Sequence, residues 1–139
     1  MHIERSLKNI MNSWKFSCEW KPVIPLPPEY SFPQAFNYLN PETNSFYILE
    51  SPKGDYIQCG GSKERCTVEV RRFHDRNYTH YVLGRTGGSN KLTAVPMSNG
   101  GVTVQENEVF KHWDAIELFK RFFAGEDFPE DIIFREVNV

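Results

Sequence analysis

Residues 65–83 read Arg65-Cys66-Thr67-Val68-Glu69-Val70-Arg71-Arg72-Phe73-His74-Asp75-Arg76-Asn77-Tyr78-Thr79-His80-Tyr81-Val82-Leu83. Cys66, Val68 and Val70 alternate with Thr67, Glu69 and Arg71, the period of two that sends successive side chains to opposite faces of a strand. The polar His74-Asp75-Arg76 predicts a turn, and Asn77–Leu83 returns as the second arm of a hairpin with one core face and one wet face.

Working outward, Phe46–Glu50 and Tyr56–Cys59 flank Ser51-Pro52-Lys53-Gly54-Asp55 and predict another hairpin. Gly84–Asn90 contains no apolar residue and predicts a loop, after which Lys91–Pro96 and Val102–Gln105 form a third hairpin. Nearer the start, Trp14, Phe16, Cys18 and Trp20 alternate with Lys15, Ser17 and Glu19, which predicts a further strand. Lys21–Pro33 holds five prolines, whose fixed φ and missing donors predict an extended connector.

Helical spacing occurs in three places. Ile3–Met11 and Phe32–Leu39 predict short N-terminal helices, the second with Pro33 in its first turn. Glu106–Ala124 is the longest periodic segment, with Val109, Trp113, Ile116, Phe119 and Phe123 in one apolar stripe and Gly125 as the stop. Ile132–Val137 predicts a last strand. Strands in a run, flanked by helices and without βαβ alternation, give the α+β class: a mainly antiparallel sheet of about six strands, a long helix in the C-terminal half and short N-terminal helices.

The 139 residues suit one domain, 1–139, and 20 aromatic side chains argue against disorder. Cys18, Cys59 and Cys66 cannot all pair and show no secreted disulfide spacing, so reduced thiols in a cytoplasmic protein are expected. The N-terminus lacks the order of a signal peptide, and no apolar run approaches the ~20 residues a spanning helix needs, so no membrane partner is expected. The net charge of −2 is uneven: Gly61–Lys91 carries 7 basic and 3 acidic residues, whereas Leu92–Val139 carries 4 basic and 9 acidic. That distribution favours a basic protein partner over nucleic acid.

Several groups invite chemistry. Cys59, Cys66, His74 and His80 are separated by six, seven and five residues along strands rather than paired in knuckles, which argues against zinc. A Cys66/His80 nucleophile pair lacks an elbow or helix N-terminus before the cysteine, so a core thiol is the simpler reading. Gly84-Arg85-Thr86-Gly87-Gly88-Ser89-Asn90-Lys91 lacks the ending of a phosphate-binding loop and runs into a strand. Arg71, Arg72, Phe73, Arg76, Tyr78 and Tyr81 could form a basic-aromatic surface for RNA, but alternation sends Arg71 and Arg72 to opposite faces. No catalytic residue, metal or cofactor is expected.

The acidic residues Glu106, Glu108, Asp114, Glu126 and Asp127 sit at helix ends and a turn; with Arg85 in the glycine-rich loop they are the candidate partner contacts. The succession Tyr56-Ile57-Gln58-Cys59-Gly60-Gly61, Cys66-Thr67-Val68-Glu69-Val70-Arg71, Val95-Pro96, Leu118–Gly125, Phe128-Pro129 and Ile132–Glu136 resembles the first class of bacterial immunity proteins, encoded beside polymorphic toxins of contact-dependent, type VI or Rhs-type systems. The resemblance covers Phe46–Val137 and departs from the pattern at Phe134, where tryptophan is usual. It implies a protein that binds the C-terminal domain of a cognate toxin, a nuclease or deaminase, and occludes its active site or substrate groove. Two other functions are expectations of the same residues: a small hydrolase or transferase reversing a toxin's modification through Cys66 or a carboxylate, and an RNA or small-ligand module using Arg71, Tyr78 and Arg85.

Overall fold

The computed structural model describes residues 13–26 and 32–138. Its centre is a seven-stranded sheet in the order β2-β1-β3-β4-β5-β6-β9, formed by β1 (Trp14–Cys18), β2 (Lys21–Leu26), β3 (Phe46–Glu50), β4 (Tyr56–Gly61), β5 (Cys66–His74), β6 (Asn77–Arg85) and β9 (Ile132–Val137). Every neighbouring pair is antiparallel, consistent with the α+β class and with the hairpins expected from alternation. The expected third hairpin does form, from β7 (Leu92–Val95) and β8 (Val102–Gln105), but as a separate two-stranded ribbon.

Inward positions of the strands supply one face of the main sheet: Phe16, Tyr47, Leu49, Ile57, Cys59, Cys66, Val68, Val70 and Leu83 are buried there. A single turn α1 (Pro33–Phe36) and the helix α2 (His112–Ala124) close this face. Ring packing dominates, with Phe36 stacked on Tyr47 at 4.8 Å and edge-on to Phe119 at 4.9 Å. Asn44 Nδ2 donates to Tyr47 Oη at 3.0 Å, and that hydroxyl donates to Ala35 O, so the one polar tip among these rings is satisfied.

Several expectations need correction. The predicted helix Phe32–Leu39 is helical only over α1, although Phe32, Phe36 and Leu39 are buried together. The helix expected at Ile3–Met11 lies outside the described residues. The proline-rich connector contains β2, and this is allowed because β2 is an edge strand, where a proline without a donor leaves no ladder bond broken on its open side.

The largest shift concerns the helix predicted from Glu106. Glu106–Glu108 forms a 3₁₀ turn, Val109 is extended (φ −101, ψ 127), Phe110 bridges Cys66, and α2 begins only at His112. The buried stripe is therefore Ala115, Ile116, Leu118, Phe119 and Phe122, and Trp113 is 57% exposed instead of core. Gly125 ends α2 as expected, in the left-handed region at φ 72. Gly84, expected in a loop, is a buried strand residue whose missing side chain admits the backbone of Asn107.

The ribbon lies across one end of the second sheet face. Val95 and Val104 pack on Val82 there, and the Met97 sulfur occupies the space a side chain at Gly60 would fill. Glu19 fastens its tip: the Ser45 N–H (2.8 Å), Ser98 Oγ (2.6 Å) and Ser45 Oγ (2.9 Å) all donate to its carboxylate and hold its pKa below the usual 4.5. A depressed carboxylate contributes stability that is present above its unfolded pKa and lost as pH falls through the folded one. Thermal unfolding followed from pH 7 to pH 3 should thus show a Tm loss below about pH 4.5 that Glu19→Gln flattens.

A second test addresses the close approach of ribbon and sheet. Gly61 has φ 128, and a Cβ on it would lie 2.4 Å from Arg65 O and 2.7 Å from Val95 Cγ1. Gly61→Ala should lower unfolding free energy by about 2 kcal/mol in urea titration.

Candidate functional site

The register of the sheet assembles the site. On the second face, opposite the helix, Tyr56, Arg71, His80 and Val137 are cross-strand partners in one row, and Gln58, Glu69, Val82 and Arg135 in the next. The ribbon and the 3₁₀ turn after it cover Val82 and hold Arg135 in the second row, while Tyr56 and Arg71 of the first row stay partly exposed beyond them.

His80 organises the charged groups. Arg71 Nε lies 3.1 Å from His80 Nδ1, and because a guanidinium only donates, Nδ1 must accept and the ring proton sits on Nε2. Nε2–H then donates to Glu69 Oε1 at 2.8 Å, while Gln58 Nε2 donates to Glu69 Oε2 at 3.0 Å. Both imidazole nitrogens are thereby engaged. Although a histidine hydrogen-bonded to a glutamate looks like half of a catalytic set, no lone pair is left to act as general base, and the ring is 3% exposed.

Aromatic rings frame this network. The Arg71 guanidinium lies 4.0 Å from the centroid of Tyr78 and 5.3 Å from that of Tyr56. Phe73 and Tyr78, 5.7 Å apart at the tip of the β5–β6 hairpin, are 41% and 42% exposed. Burial raises the Tyr56 hydroxyl pKa above 10.0; the Arg71 charge pulls it down, and Glu69 and then Tyr78 push it up.

The residues chosen from sequence do not converge. Arg85 is on the helix side, 3.0 Å from Asp114 and 3.7 Å from Asp131, with its guanidinium 5.0 Å over Phe110. Asp114 is therefore charge-compensated, and it also receives the Lys111 N–H at the start of α2. Glu108 is buried: its carboxylate takes two bonds from Arg135, at 2.7 and 2.9 Å, and the Gln105 N–H at 2.8 Å. That makes Glu108 a structural anchor, removing it from any contact surface.

Glu106 is exposed on the 3₁₀ turn, whereas Glu126 and Asp127 are exposed beyond the other end of α2, a helix about 20 Å long. A single acidic patch made of all five carboxylates does not exist. Glu126 and Asp127 instead rim an open depression of about 340 Å³ with Arg72, Phe128 and Phe134.

The cysteine readings are settled by burial. Cys66 is fully buried with its Sγ 3.4 Å from Phe110 O, and a hydrogen bond with Cys66 together with burial holds the Cys59 thiol well above its usual value. Neither reaches a cleft. Among the described residues no three His, Cys, Asp or Glu side chains are grouped to hold a metal ion, and no helix is long and apolar enough to cross a membrane.

Sequence reasoning separated Arg71 from Arg72 correctly: Arg72 lies on the helix side, 5.2 Å from the Phe122 ring. What it missed was the union of Arg71 with Tyr56 and His80, which only the β4–β5–β6 register reveals. No family model, curated protein or solved structure matches the chain.

The raised Tyr56 provides a direct probe of this arrangement. Because its folded pKa exceeds the unfolded one, its stabilising effect is complete below about pH 10 and is lost as pH rises through the folded value. An alkaline ultraviolet titration should show a late-ionising tyrosine, absent in Tyr56→Phe and earlier in Glu69→Gln.

Proposed function

We propose that this chain is a stoichiometric inhibitor that acts by binding: an immunity protein of the cytoplasm that captures and neutralises the C-terminal domain of a cognate bacterial toxin. The observation that carries the reading is the exposed Phe73/Tyr78 tip beside the Arg71–Tyr56 stack, on a sheet face where the ribbon stops short. Tyrosine, arginine and large apolar rings are the groups that supply most of the energy in protein interfaces. Here Arg71 is already held between rings and a histidine, so less side-chain entropy is lost on contact. The resemblance over Phe46–Val137 points to the same class of partner.

Binding is also supported by where the reactive groups lie. His80 has both nitrogens engaged and Cys66 is in the core, which removes the Cys66/His80 pair from the enzyme reading.

A second reading has one observation in its favour. Arg71, Tyr56 and Tyr78 do cluster on one face, as a single-stranded RNA module would need, although Arg85 is on the other side of the sheet.

Co-expression with the product of the neighbouring toxin gene separates the two. Inhibition predicts rescued growth and a one-to-one complex, with Phe73→Ala and Tyr78→Ala each weakening that complex about tenfold or more. Failure of both rescue and co-purification overturns the proposal. Fluorescence anisotropy with a labelled single-stranded RNA would then test the second reading, which requires binding that weakens with salt and is lost in Arg71→Ala.

A further inference from the structure

The two edges of the main sheet are built differently. β2 carries Pro22 and Pro25, which lack donors and guard an edge against pairing, whereas β9 at the opposite edge is Ile132-Ile133-Phe134-Arg135-Glu136-Val137 with no proline. Among the described residues no strand covers its outer side. Ile133 is 40% exposed and Phe134 47%, so large apolar side chains are displayed on both faces of an open edge.

The hydrogen-bond phase of β9 can be fixed. Thr86 N–H donates to Asp131 O at 2.9 Å, and the register continues Arg85–Ile132, Gly84–Ile133, Leu83–Phe134. In an antiparallel ladder, residues bonded to the neighbouring strand alternate with residues whose polar groups face away. Ile133 and Arg135 therefore pair toward β6, leaving Phe134 and Glu136 to present N–H and C=O outward. The Ile132 N–H, which would also face outward, is taken by Pro129 O at 3.0 Å.

Charge selects the occupant. Glu126, Asp127, Glu130 and Glu136 are exposed along this edge and make no ion pair among the described residues, while the Arg135 guanidinium is bound to Glu108. A second copy of the chain is disfavoured. Pairing Phe134 with itself across a twofold axis would set Glu136 of each copy beside the Glu130–Asp131 turn of the other.

We infer that β9 is a docking edge that takes an extended segment of the protein partner, added as an eighth strand, with basic side chains meeting Glu136 and the Glu126–Glu130 turn. Its backbone would pair with Phe134 and Glu136, and its alternate side chains would lie on Ile133 and Phe134. This rests on the partner-binding reading and names how contact is made.

The experiment uses the full chain with three capped eight-residue probes: an alternating lysine–valine peptide, its glutamate–valine counterpart, and the lysine–valine peptide N-methylated at every residue, which leaves neither of its edges a donor. Anisotropy and amide hydrogen exchange by NMR are the readouts. The first probe should bind, more weakly as salt is added, and slow exchange at the Phe134 and Glu136 amides; the other two should not.

Glu136→Pro removes only an outward-facing donor and should reduce binding at least tenfold while the β6–β9 amides stay protected. Glu136→Lys keeps the backbone intact, so it tests the charge if the proline variant unfolds: it should weaken the lysine–valine probe and improve the glutamate–valine one. Absence of binding by the first probe, binding with both amides unprotected, or a concentration-dependent dimer abolished by Glu136→Pro would overturn the inference. If the toxin domain binds wild type and a folded Glu136→Pro equally, the edge inference fails while the partner reading stands. If the first probe docks as described but no toxin domain is bound, the partner class fails instead.

Discussion

Two backbone hydrogen bonds between Cys66 and Phe110, 2.8 Å in each direction, determine how the two halves of this chain can be assembled. They stand at the N-terminal end of β5, beyond Glu69 where its pairing with β6 stops although β6 runs on to Arg85 beside β9, so Phe110 pairs with β5 where β6 has left it. Immediately before this point the chain has covered the second sheet face as ribbon and 3₁₀ turn; immediately after it, His112 N–H bonds to Lys63 O and α2 starts across the first face. The bridge is thus the crossing between layers, and the Arg85 guanidinium, over the Phe110 ring and against Asp114, secures the same corner.

That crossing explains which parts of the fold could be read in advance. The β3–β4 and β5–β6 hairpins follow from alternation and short turns, which are local, and Gly125 follows from the steric freedom of one residue. The helix start does not. Glu106–Phe110 has helical composition, but a strand 44 residues earlier offers Phe110 two ladder bonds, and tertiary pairing overrides the weak preference of propensity. Starting α2 at His112 turns Trp113 outward and brings Ala115, Leu118 and Phe122 in.

The same dependence on distant partners governs the site. Glu106 and Glu108 are indistinguishable as sequence, yet one is solvated and the other is buried, because Arg135 reaches Glu108 from β9. Burial of that carboxylate is tolerable only with the three donors it receives. Likewise Arg71 could be assigned a face by counting residues, but the identity of its neighbours depended on the β4 and β6 registers, which set Tyr56 and His80 beside it. Charge counted along the chain misleads for a related reason: Asp114 belongs to the acidic C-terminal third in sequence and is matched by an arginine of the basic middle third in space.

Once those internal pairs are set aside, the remaining surface divides its work. On the open face Glu69, His80 and Arg71 bond mainly to one another, so further attraction there must come from aromatic area, chiefly Phe73 and Tyr78. Uncompensated charge lies instead along β9 and the turn before it, where exposed carboxylates would speed encounter with a basic partner more than they would hold it. An open depression of about 450 Å³, lined by Tyr78, His80, Glu136 and Val137, joins the two regions at the start of β6 and the end of β9. An extended segment paired with β9 would therefore run toward the aromatic tip, and a partner of ordinary interface size could engage the steering charges and the rings at once.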